Sequence, residues 1–102
     1  MPGIDAIFVG PNDLAASMRS KDNKPPSAEA TAEANKHILA TCRKYKVAAG
    51  YHCTTAEEVR HRIEEGWQFL AVASELKMML NGAHALTQGI DSNRGKSELA
   101  KY

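Results

Sequence analysis

One carboxylate, Asp13, stands just past the apolar run Ile4-Asp5-Ala6-Ile7-Phe8-Val9, separated from it by Gly10-Pro11-Asn12. Ile, Phe and Val in sequence are what a strand buried on both faces selects, since strict alternation is lost there. Gly10 permits backbone angles closed to other residues, and Pro11 lacks the amide hydrogen needed to continue a ladder. Asn12 and Asp13 are thereby displayed at the C-terminal end of a parallel strand, where α/β folds carry out their chemistry. His52, with Cys53 and Thr54, and Ser74-Glu75 close two further apolar segments in the same way. His52 is the acid–base or substrate-contact candidate. Cys53 is a poor nucleophile for the same site, because neighbours on a strand point to opposite faces. Glu75 could line the lip of a site or serve only as a first-turn carboxylate favoured by the helix dipole. Asp13 has its own bland alternative, a helix N-cap.

The elements that must position these groups follow from periodicity. After Asp13, Leu14–Met18 reads as a short helical turn capped by Asn12 or Asp13, and residues 19–26 as a polar, proline-bearing loop. Ser27 caps a helix that runs to about Lys46, with Ala34, Ile38, Cys42 and Tyr45 as its apolar stripe. Val47–Cys53 is the second strand. Thr55 and Glu58 form a capping box, Val59 and Ile63 mark the buried face of the helix that follows, and Gly66 ends it. Trp67–Ala73 is the third strand, and Ser74 opens a last helix striped by Leu76, Met79, Leu80, Ala83 and Leu86. Helical segments between short apolar strands imply right-handed βαβ crossovers and a parallel sheet. The expected organisation is one α/β domain over residues 1–88 and a polar tail over 89–102.

The 102 residues are 43% hydrophobic and 25% charged, with formal net charge +1. That balance gives no footprint for nucleic acid. No apolar run approaches the roughly 20 residues of a membrane span, and the N-terminus is not built as a signal peptide. Two cysteines, Cys42 and Cys53, fit a cytoplasmic protein with reduced thiols better than a disulfide. Neither a glycine-rich nucleotide loop nor a zinc spacing occurs.

The segment Gly3-Ile4-Asp5-Ala6-Ile7-Phe8-Val9-Gly10-Pro11-Asn12-Asp13-Leu14-Ala15-Ala16-Ser17-Met18 resembles the sixth-strand segment of the HpcH/HpaI aldolase and citrate lyase family, and the likeness continues collinearly to about residue 86. The resemblance implies the last three βα units of a (β/α)8 TIM-type barrel, oligomeric in its full-length form. It implies a lyase that makes or breaks a carbon–carbon bond next to a 2-oxo acid such as pyruvate, with Mg²⁺, Mn²⁺ or Co²⁺. In those terms Asp13 is one of two metal carboxylates, and the amides of Asn12 and Asp13 hold the substrate carboxylate. His52 falls where many members carry an apolar substrate contact, and Ala73-Ser74-Glu75 replaces a common Gly-x-Asp. The second metal carboxylate, the arginine and the histidine base of the family are expected on strands before Met1. The competing expectation is a catalytically inactive fragment or a small α/β interaction module.

Overall fold

The structure is a computed structural model, and it describes residues 2–90. The chain falls into two compact units divided after Val72. The first contains β1 (Ala6–Val9), α1 (Pro11–Ser17), α2 (Ala28–Lys44), β2 (Ala48–Cys53), α3 (Ala56–Glu65) and β3 (Phe69–Val72), and the second contains α4 (Glu75–Gln88). The three strands form a parallel sheet in the order β1-β2-β3, with Ile7 beside Ala49, Val9 beside Tyr51, and Tyr51 beside Leu70. Three parallel strands and four helices in βα order are the α/β architecture of part of a TIM barrel.

One face of the sheet is covered. Val9, Ala49, Tyr51 and Cys53 point to α2 and α3 and form the core with Leu39, Cys42 and Trp67. The side chain of Tyr51 organises this layer. Trp67 meets its ring edge-on at 5.1 Å, and the Arg62 guanidinium lies 4.1 Å from its centroid. Asn35, buried on α2, reaches the Tyr51 hydroxyl at 3.5 Å. The α2 stripe therefore includes Asn35 and Leu39, while Tyr45 at its end is 62% exposed. On α3, Val59 packs against the core as expected, but Ile63 is 58% exposed, so the buried face of that helix is narrower than its apolar residues suggest.

The other face is bare. Phe8 and Phe69 flank Gly50 in the register, and their rings meet at 5.6 Å over it. A Cβ on Gly50 would collide with the Phe69 ring, so the glycine is what lets the two aromatics close over the backbone. Phe8 remains 47% exposed and Phe69 39%. This corrects the reading of the first strand as buried on both faces: among the described residues only Val9 of β1 is buried, because β2 alone flanks the strand and helices cover one side.

Three helices start on the residues expected. Ser27 accepts from the Ala30 amide, Thr55 from Glu58 and Ser74 from Lys77, each through its hydroxyl oxygen. The box at Thr55 is modified. Glu58 accepts from the amide and hydroxyl of Thr54, at 2.8 and 3.1 Å, because that residue offers two donors to one carboxylate oxygen. Gly66 closes α3 at φ 105°. No residue of α4 is buried, and the expected tail lies outside the described residues from 91 onward.

Candidate functional site at the strand ends

The corner after β1 is tighter than a turn followed by a cap. The α1 helix begins at Pro11 with Gly10 as its N-cap, and no side chain caps it. Neither Asn12 nor Asp13 is the cap, which corrects that expectation: Pro11, pre-set in φ, nucleates the helix three residues before Leu14. The first intrahelical bond is donated by the Leu14 amide to the Gly10 carbonyl, at 2.9 Å. Helix geometry leaves the amides ahead of Leu14 without intrahelical acceptors. Pro11 has none, so the two are those of Asn12 and Asp13, both exposed residues. Leu14 turns inward against the core and fixes the helix to the sheet.

The Asp13 carboxylate folds back toward Gly10. Its Oδ2 lies 2.8 Å from the point a Cβ on Gly10 would occupy. The glycine thus serves the carboxylate as well as the turn, a role that the Gly-Pro pair alone does not reveal. Asp13 makes no capping bond, so its oxygens are not committed to holding the helix end.

His52 stands at the same end of the sheet. The register places Val9 beside Tyr51, which brings Gly10 alongside His52 at the next step. The imidazole lies on the bare face, tilted against Phe8 with 6.4 Å between ring centres. The structure therefore brings the Gly10–Asp13 corner and His52 to adjoining strand ends. Phe8 and Phe69 beneath them escaped the sequence reading; a glycine inside a strand, here Gly50, was the available signal of close approach. Cys53 points to the opposite face and is fully buried. Burial, reinforced by Glu58, pushes its thiol upward against the opposing effect of Arg62, so it is an inert core residue and not a nucleophile.

Ser74 and Glu75 belong to the second unit, where Ser74 caps α4 and Glu75 occupies its first turn. Ala73 holds φ 55°, a left-handed angle that explains why glycine suits that position. Among the described residues no three His, Cys, Asp or Glu side chains converge as a metal site, and no helix is long and apolar enough to cross a membrane. For a hard divalent cation, Asp13 fits as one oxygen ligand on a fixed turn, uncommitted to any cap.

Comparison with known proteins gives the family. The family model for HpcH/HpaI aldolase/citrate lyase matches residues 1–82. A hydroxypyruvate/pyruvate aldolase of Paraburkholderia phytofirmans is 32% identical over 92 residues, covering 89% of this chain and 34% of that protein. A 2-dehydro-3,6-dideoxy-6-sulfogluconate aldolase of Pseudomonas putida is 30% identical over 98% of this chain and 38% of its own length. A 5-keto-4-deoxy-D-glucarate aldolase of Salmonella arizonae is 34% identical, with 82% and 32% covered. No solved structure gives a significant match. The chain spans about a third of the length of these curated relatives. With a family-model match over residues 1–82, most of its length, the chain belongs to the HpcH/HpaI aldolase/citrate lyase family.

Proposed function

We propose that this chain supplies part of the substrate end of a divalent-metal-dependent lyase that cleaves or forms a carbon–carbon bond next to a 2-oxo acid of the pyruvate type. The observation that carries the reading is the Gly10–Asp13 corner: two first-turn amides and one uncommitted carboxylate within two residues, on the end of a strand. The amides of Asn12 and Asp13 are donors for the carboxylate of the oxo acid, placed by a helix start that also favours negative charge. The Asp13 carboxylate would hold Mg²⁺, Mn²⁺ or Co²⁺ as one oxygen ligand. Held by Asp13, such a cation would supply Lewis acidity, polarising the substrate carbonyl and stabilising charge that develops beside the bond being broken. His52, on the adjoining strand end and packed against Phe8, is positioned to contact the substrate. Its identity in place of an apolar residue points to a polar group on that substrate. Both cysteines are free and buried, which supports a reducing compartment such as the cytoplasm.

The test is calorimetric. Mn²⁺ titrated with pyruvate or oxalate into the chain is expected to release heat that Asp13→Asn abolishes; equal heats from the two proteins would remove the metal assignment. Pyruvate release from a panel of 4-hydroxy-2-oxo acids by the full-length gene product then identifies the aldehyde partner.

A further inference from the structure

The ends of α2 and α3 that lead into β2 and β3 border an open cavity of about 340 Å³, at the opposite end of the sheet from Asp13. Leu39, Cys42 and Ala49 form an apolar floor, and Arg43, Lys46 and Gln68 stand around it. Its volume is in the range of small-molecule sites.

Two helix C-termini meet here, and their carbonyls would ordinarily account for nearby cations. In this case several of those carbonyls are already taken by backbone amides, and the Glu65 carbonyl holds one nitrogen of Arg43. At α2 the Lys46 amide donates to Arg43 and the Val47 amide to Cys42; at α3 the Gly66 amide donates to Ile63 and the Trp67 amide to Arg62. Arg43 reaches across with one guanidinium nitrogen to the Glu65 carbonyl, over Gly66, where a Cβ would block it. Among the described residues neither Arg43 nor Lys46 has a carboxylate partner. The backbone at Lys46 is also unusual. Lys46 occupies the left-handed position of the helix-ending motif at φ 55°, the place glycine normally takes and does take at Gly66. A long cationic side chain is thus held at a position that favours having none.

We propose that this cavity binds a small organic anion, a carboxylate or phosphate headgroup on a short hydrocarbon body. The headgroup sits between Arg43 and Lys46 within reach of the Gln68 side-chain amide, and the hydrocarbon lies on Leu39, Cys42 and Ala49. This site is separate from the Asp13 corner and does not rest on the reading of that corner.

Hexanoate and hexyl phosphate, titrated separately into ¹⁵N-labelled chain, test it, with hexanol as the neutral control. Saturable shifts are expected at the amides of Arg43, Lys46, Val47, Gly66 and Gln68 with either anion and not with the alcohol; the better headgroup is the one of lower dissociation constant. Lys46→Gly separates the binding role from the structural one: it should raise the urea midpoint by relieving the left-handed backbone, yet weaken anion binding about fivefold, the upper range for one exposed charge. Lys46→Gln should weaken binding similarly without the gain in stability. Shifts that fail to saturate, shifts that map to Phe8 and Phe69, equal binding of hexanol, or undiminished affinity in Lys46→Gly would each overturn the proposal.

Discussion

Gly10 and Asp13 constrain one another, and the constraint runs through 2.8 Å of space. A methyl group at Gly10 meets only the far end of a flexible side chain, so Gly10→Ala should leave stability within about 1 kcal/mol of the parent. The carboxylate, however, must rotate away. We expect Gly10→Ala to reduce the heat of Mn²⁺ and pyruvate binding nearly as far as Asp13→Asn does, while the urea midpoint hardly moves. Cys53 gives a second residue-level expectation. Burial first, and Glu58 second, raise its thiol above the ordinary 9.0, against a smaller opposing effect of Arg62. The folded chain then keeps a proton that the unfolded chain releases. That contribution to stability is fully present below pH 9 and is lost as pH rises beyond it. Urea midpoints measured from neutral to alkaline pH should fall more steeply in the parent than in Cys53→Ala. Parallel slopes would mean that the thiol plays no part.

Three of the four helices owe their starting points to single hydroxyls, and these were the most legible feature of the chain. Ser27, Thr55 and Ser74 each accept from an amide three residues on. Replacing any of them with alanine should cost about 1 kcal/mol in urea denaturation followed by circular dichroism. The strands were legible as well, to within one or two residues, from their apolar runs and the helical segments between them. Other features depended on tertiary contacts that no local pattern contains. Asn35 is buried because the Tyr51 hydroxyl sits across from it, and a search for apolar periodicity passes over an asparagine. Arg62, and not Ile63, lies over Tyr51, and Ile63 is left exposed. At the candidate site, Asp13 was legible from the Gly-Pro turn, but the helix start at Pro11 and the fit of the carboxylate over Gly10 required the three-dimensional arrangement.

At the scale of the whole molecule the sheet has a bare aromatic face and two exposed margins. Ile7 on β1 is 42% exposed and Val72 on β3 is 46% exposed. Unpaired strand edges template further pairing. A β1 edge offered to a β3 edge is a contact between unlike surfaces, which extends without closing unless the geometry forms a ring. We therefore expect the chain to self-associate, with sedimentation showing a mass that rises with concentration above the 11.1 kDa of one copy. Phe8→Lys, which places a charge on the bare face, should shift that rise to higher concentration. A concentration-independent single species would show that the face is tolerated as it stands. The covered side of the same sheet has a different experimental value. Trp67 is the sole tryptophan of the chain, 4% exposed and set edge-on against Tyr51. Its emission is therefore an intrinsic optical gauge of whether helices and sheet remain docked in the first unit, readable in every titration above without a label.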